Sequence, residues 1–85
     1  GTQSLHVLQM ELSKKLELPS NRIVCKVKRL GGGFGGKEYR STYFALISTL
    51  VSKKLKRPVR CILDRDIDSL ITGGNHPYLA RYKAR

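Results

Sequence analysis

Five of the six residues from Gly31 to Gly36 are glycine, with Phe34 the single side chain among them. No regular helix or strand runs comfortably through such a stretch, because each glycine adds backbone freedom that folding must remove. The run therefore reads as a tight loop, and the segments on either side decide what it joins. Before it, Arg22 to Leu30 alternates: Ile23, Cys25 and Val27 fall on one side, Val24, Lys26 and Lys28 on the other. That period of two predicts a strand. After it, Glu38 to Lys56 returns to helical spacing, with Tyr43, Leu46, Ile47, Leu50, Val51 and Leu55 forming an apolar stripe. Basic residues gather in the last turn, where the helix dipole favours them. Pro58 stops this helix, and Val59, Cys61 and Leu63 alternate with Arg60 and Ile62 through a second predicted strand. Strand, glycine loop, helix and strand make a βαβ unit, expected to be right-handed with parallel strands. The predicted class is α/β.

The remaining segments are simpler. From Ser4 to Leu18, Leu5, Leu8, Leu12 and Leu16 recur at three- and four-residue steps, the pattern of an amphipathic helix. Pro19, Ser20 and Asn21 then supply a turn. Between Asp64 and Pro77 only Ile67 to Ile71 suggests a helical turn, and Thr72-Gly73-Gly74-Asn75 is turn chemistry. Tyr78 to Lys83 is expected to form a short final strand.

The chain has 85 residues, begins at Gly1 without Met and ends at Arg85, so it reads as a piece of a longer protein. A lone domain of this size buries only about 60% of the surface its unfolded chain exposes. Partners for its apolar faces are expected outside the segment, and no complete domain boundary is visible within 1–85. Lysine and arginine number 17 against 6 acids, a net charge of +11. In a complete protein that balance points to a polyanion. Here the basic residues are scattered, with short clusters only at Lys26–Arg29 and Lys53–Arg57, so no nucleic-acid partner is expected. Cys25 and Cys61 each lie inside an alternating run and read as small buried hydrophobes rather than as a disulfide, zinc or iron–sulfur ligand set. No apolar stretch approaches the roughly 20 residues needed to cross a bilayer. No membrane partner is expected, and a reducing, soluble compartment is the default.

Gly31 to Lys37 fits the spacing G-x-x-x-x-G-K of a nucleotide-binding loop. The next position breaks the match. Such a loop needs a Ser or Thr hydroxyl there to hold magnesium, and Glu38 offers a carboxylate that would repel phosphates instead. Ile62-Leu63-Asp64 is only a poor imitation of the second acidic motif.

Taken as one unit, Gly31-Gly32-Gly33-Phe34-Gly35-Gly36-Lys37-Glu38, followed by Arg40-Ser41-Thr42, resembles the glycine-rich signature of the molybdenum hydroxylase family, the xanthine dehydrogenases and their aldehyde oxidase relatives. The resemblance extends over nearly the whole chain: Leu18-Pro19, Asn21–Val24, Val27–Arg29, Arg57–Cys61, Leu63–Asp66, Leu70–Gly74 and His76–Lys83 are all similar to family segments. Asn75 departs from the arginine the family commonly has there.

The resemblance implies a partial molybdenum-cofactor (molybdopterin) binding domain over 1–85. Gln3, which precedes Phe34 by 31 positions (34 − 3), matches a glutamine whose amide lies beside the molybdenum centre. Phe34 and Gly35 match loop positions whose backbone meets the cofactor, and Gln3 and Phe34 are the residues expected in the molybdenum–pterin vicinity. Glu38 matches a carboxylate that faces the purine substrate. Aldehyde oxidases usually carry an apolar residue there, so Glu38 favours a purine. For the parent the resemblance implies hydroxylation of hypoxanthine and xanthine to uric acid, with electrons passing through two 2Fe-2S clusters and FAD to NAD or oxygen. It also implies a homodimer and a cytoplasmic or peroxisomal location. The iron–sulfur cysteines, the flavin domain, the general base and a second substrate-orienting residue are expected outside this segment. No catalytic residue is expected within it, and the isolated chain is expected to be inactive. Lys37 is expected to be structural, and His6 and His76 to be a solvated helix residue and a loop-fixing residue. Two alternatives stand beside this reading: a fragment of an aldehyde oxidase, and a small basic module that binds phosphates or nucleic acid.

Overall fold

The leucine spacing near the N-terminus produces the helix it predicts. In the computed structural model, which describes residues 1–85, α1 runs over Leu5–Leu16 and buries Leu12 and Leu16. It ends where Glu17 turns left-handed at φ 54° and the Leu18 N–H bonds back to the Ser13 carbonyl at 3.2 Å, ahead of Pro19. A single 3₁₀ turn, Ser20–Arg22, follows. The second helical stripe gives α2, Arg40–Leu55, which closes at Lys56 in the left-handed region before Pro58. The two helices touch, and Lys53 of α2 donates from Nζ to the Leu16 carbonyl at 3.0 Å. A cation thus caps the negative end of α1. The helical turn expected at Ile67–Ile71 is the centre of a longer α3, Arg65–Thr72, which starts after Asp64 and carries Asp66 and Asp68 in its first turn. Arg65 pairs with Asp68 at 2.8 Å. Arg40 Nη1 donates to the Gly73 carbonyl at 3.3 Å, tying the end of α3 to the start of α2.

The βαβ unit is not present, and the expected α/β class is corrected: the chain is three helices with no strand or sheet. Alternation in the sequence sets which side chains point inward, but a strand exists only when its N–H and C=O groups find a ladder partner. Along Arg22–Leu30 the first half of that statement holds. Ile23, Cys25 and Val27 are half-buried, while Val24, Lys26 and Lys28 are exposed. The second half does not. The Ile23 carbonyl is taken by the amide of Gln9 on α1 at 2.7 Å, and the same amide holds the Ser20 carbonyl at 2.9 Å. A helix side chain thus satisfies the backbone at the point where a neighbouring strand would begin. Val59–Leu63 and Tyr78–Lys83 likewise stay unpaired. Burial pushes the Cys25 thiol up from its ordinary range, so it packs as a neutral side chain, whereas Cys61 is exposed.

Most of the apolar stripe of α2 is uncovered: Tyr43, Ile47, Leu50 and Leu55 are all exposed. The molecule measures 60 × 26 × 21 Å with a radius of gyration of 16.5 Å. A compact chain of this length has a radius of about 12 Å. The accessible surface is 7852 Å², where a compact protein of this mass exposes about 5,100 Å². Only Thr2, Leu12 and Leu16 are buried. Too little apolar surface leaves water for the 85-residue chain to melt as a cooperative unit. Far-UV circular dichroism of the isolated monomer is expected to decline gradually on heating. A sigmoidal transition would contradict this.

Candidate functional site

The glycine loop is organised by hydrogen bonds that reach it from the N-terminal segment. The Gly36 N–H donates to the Gly33 carbonyl at 2.8 Å, closing the turn. Phe34 takes φ 49° and Gly35 φ 80° within it. A left-handed conformation at a bulky residue is uncommon, and here it throws the Phe34 ring outward, 96% exposed. The ring lies over Gly32, where an added Cβ would stand 3.1 Å from Phe34 Cζ.

Gln3 enters this loop from the other side. The Gly35 N–H donates to Gln3 Oε1 at 3.2 Å. The Gln3 backbone N–H donates to the Lys37 carbonyl at 2.9 Å. Gly33 is the residue the Gln3 side chain packs against: a Cβ on it would come within 2.7 Å of Gln3 Cδ. Because the amide oxygen is engaged by Gly35, the NH₂ end of Gln3 is the end left to face outward. The side chain is exposed and presents two N–H donors at the loop backbone.

Glu38 is half-buried, with its N–H directed at the Gly35 carbonyl at 3.4 Å. It lies one residue before Tyr39, the N-cap of α2, and the first turn of that helix carries no acid. The ion pairs of the structure are Lys14–Glu11 and Arg65–Asp68, so the Glu38 carboxylate and the Lys37 ammonium each stand unpaired. Lys37 does its structural work through its carbonyl rather than through its charge. Gln3, Phe34 and Gly35 are thus brought together, and Glu38 is joined to them through the backbone of Lys37.

A broad open depression of about 1050 Å³ lies beside the loop, lined by Thr2, Gly32, Gly33, Phe34, Phe44 and Arg40 among others. Gln3, Gly35 and Glu38 do not line it. The hydrogen bonds, not the depression, define the candidate site. No group of three or more His, Cys, Asp or Glu side chains is placed to hold a metal ion.

A family model described as the molybdopterin cofactor-binding domain matches residues 1–84. The chain belongs to the molybdopterin cofactor-binding domain family. It is 57% identical to a mouse xanthine dehydrogenase/oxidase over 83 residues, covering 98% of this chain and 6% of that protein. Xanthine dehydrogenase of Drosophila subobscura is 52% identical and xanthine dehydrogenase 1 of Arabidopsis thaliana 50%, each over 98% of this chain and 6% of its own. The chain thus spans about 6% of the length of the curated relatives it matches. No solved structure matches it.

As a molybdopterin-binding segment, the loop fits its group by donor chemistry. A pterin carries ring nitrogens and carbonyl oxygens, and a molybdenum centre carries oxygen ligands. Both accept hydrogen bonds of the kind the Gln3 NH₂ offers, and glycine backbone admits a flat ligand to close range. Sequence reasoning missed Thr2, Gly33 and Ser41 as parts of this site. Thr2 and Gly33 act through contacts 30 or more residues distant, which nothing local in the sequence marks, whereas Ser41 bonds to the carbonyl of Lys37, four residues before it.

Proposed function

We propose that this chain is the cofactor-cradling segment of a xanthine dehydrogenase, a molybdenum hydroxylase that oxidises hypoxanthine and xanthine. The observation that carries the reading is the 3.2 Å bond from the Gly35 N–H to Gln3 Oε1, which leaves the Gln3 NH₂ free at a loop whose Phe34 side chain is exposed. That arrangement occurs in a chain 57% identical to a xanthine dehydrogenase/oxidase. When bound, the molybdenum–pterin group supplies the two-electron redox chemistry of hydroxylation. The residues of this chain hold and orient. Gln3 donates from its NH₂ to an oxygen on the cofactor side, the backbone of Phe34 and Gly35 packs against it, and Glu38 receives the purine edge. The unpaired Glu38 carboxylate has all its acceptor capacity for that purpose. In this reading electrons leave through two 2Fe-2S clusters and FAD held elsewhere in the parent, to NAD or oxygen, and the parent is a homodimer.

The test is Gln3→Ala in the full-length parent. Loss of one oriented donor at a site of developing charge costs on the order of 100-fold in turnover. Xanthine turnover is expected to fall by about that factor, with the iron–sulfur and flavin absorption unchanged. Wild-type turnover with full molybdenum content would remove Gln3 from the site.

A further inference from the structure

Thr2 is the one buried polar residue of the chain, 5% exposed. Its hydroxyl does two things at once. It donates to the Lys37 carbonyl at 3.0 Å and accepts from the Ser4 N–H at 3.2 Å. The Lys37 carbonyl also receives the Gln3 N–H at 2.9 Å and the Ser41 hydroxyl, from the first turn of α2, at 3.3 Å. Three donors therefore converge on one carbonyl, which has only two lone pairs. Such a convergence fixes the carbonyl more tightly than a single turn bond does. It also joins three parts of the chain: the strap before α1, the end of the glycine loop and the start of α2.

The neighbours of this node are the residues assigned to the site. Gln3 follows Thr2, and Glu38 follows Lys37. A glutamine side chain has three rotatable bonds, so the 3.2 Å contact from the Gly35 N–H can orient its amide only when the Gln3 backbone is itself held. We propose that Thr2 is a positioning residue for both site groups: through the Lys37 carbonyl it sets the spacing between the cofactor-facing amide of Gln3 and the purine-facing carboxylate of Glu38. This assignment rests on the functional reading of those two residues given above. It predicts that the hydroxyl of Thr2 matters, whereas its bulk does not. Valine fills the same volume, but it leaves the Ser4 N–H without its acceptor and removes one donor from Lys37. Serine keeps the hydroxyl.

The experiment compares Thr2→Val, Thr2→Ser and Gln3→Ala in the full-length parent, reading backbone hydrogen exchange at residues 3 and 31–38, molybdenum content, and kcat and KM for xanthine. One intramolecular hydrogen bond changes local opening by up to about ten-fold. In Thr2→Val, exchange at the Gln3 and Gly35 amides is expected to speed up by about that factor. Its kcat is expected to fall while KM and molybdenum content stay near wild type. Thr2→Ser should restore both exchange and kcat. Equal damage in the Val and Ser variants would overturn the proposal, because it would trace the effect to the lost methyl or to general packing. Unchanged Thr2→Val beside a damaged Gln3→Ala would overturn the positioning role alone. Unchanged Gln3→Ala would overturn the functional reading and, with it, the proposal. Where Thr2→Val does not accumulate, Ser41→Ala withdraws an exposed donor from the same carbonyl. Faster exchange at Gln3 then supports the node, and unchanged exchange overturns it.

Discussion

Gly33→Ala in the full-length parent is expected to lower xanthine turnover by about 100-fold while leaving the melting temperature almost unchanged. The two halves of this expectation come from the same contact. An added Cβ at residue 33 would meet the amide end of Gln3, 2.7 Å from Cδ and 3.1 Å from Cβ, and no backbone atom stands among those nearest neighbours. Gly33 does not have a positive φ, so alanine fits its backbone without strain. What yields is a flexible, exposed side chain, and moving it costs the fold little. Moving it does remove Gln3 Oε1 from the Gly35 N–H, and with that bond goes the orientation of the NH₂. The expected loss is therefore that of Gln3→Ala, about 100-fold for one misdirected donor. Because both substitutions remove the same interaction, the double variant Gln3→Ala/Gly33→Ala should be no worse than either single one. Turnover, molybdenum content and calorimetric melting of the three variants check this. Losses that multiply in the double variant would mean that Gly33 acts on something other than Gln3. A large fall in melting temperature would mean that it acts on the fold.

The helices were legible because their signal is local. Leucine spacing places α1 within a residue or two of its observed ends, and the long apolar stripe places α2, whose first helical residue is Arg40 where the periodicity predicts Glu38. The strands were not legible in the same sense. Period-two alternation from Ile23 to Lys28 is visible in the burial pattern, yet a ladder is a relation between two segments, and the sequence of one segment carries no information about its partner. The Ile23 carbonyl bonds to Gln9, a helix side chain, and the pattern from Arg22 to Leu30 contains nothing that foretells this. The site shows the same division. The resemblance proposes Gln3, Phe34, Gly35 and Glu38 as site residues, whereas nothing in the sequence points to the Thr2–Lys37–Ser41 node, because its donors come from separate parts of the chain and converge on a backbone atom.

The uncovered surface bears on how such a site can be built. If a flat ligand reaches the backbone of this loop, as proposed, the loop cannot protect itself with side chains, and its five glycines leave Phe34 as its one packing group. Its order is borrowed instead: from the buried Thr2, from the Lys37 carbonyl and from α2, which is in turn docked on α1 through the Lys53 bond to Leu16. The exposed faces of Tyr43, Ile47, Leu50 and Leu55 then have a further use. Whatever covers them in the parent also steadies the helix whose first-turn Ser41 bonds the Lys37 carbonyl.

In the function proposed above Glu38 carries the substrate assignment, and its replacement is the test that separates a purine enzyme from an aldehyde enzyme. Glu38→Ala in the full-length parent is expected to lower the rate of xanthine oxidation chiefly through the transition state, as charge develops on the purine edge that the carboxylate meets. A charge-assisted hydrogen bond of this kind contributes roughly 2–4 kcal/mol, on the order of 30- to 1,000-fold in rate. A small aromatic aldehyde, which lacks the purine edge, should lose far less. The competing account makes Glu38 a helix-start residue that answers the dipole of α2. It predicts about 1 kcal/mol of lost stability and equal effects on both substrates. The structure weighs against that account. Glu38 precedes the Tyr39 cap, and no capping side-chain hydrogen bond is made at the start of α2. Its carboxylate has no basic partner in the chain that would give it a purely structural use. Steady-state kinetics on xanthine and on the aldehyde, normalised to molybdenum content, decide between the two accounts. Equal losses would sink the purine-recognition role, and a large loss confined to xanthine would fix Glu38 as the residue that selects the substrate.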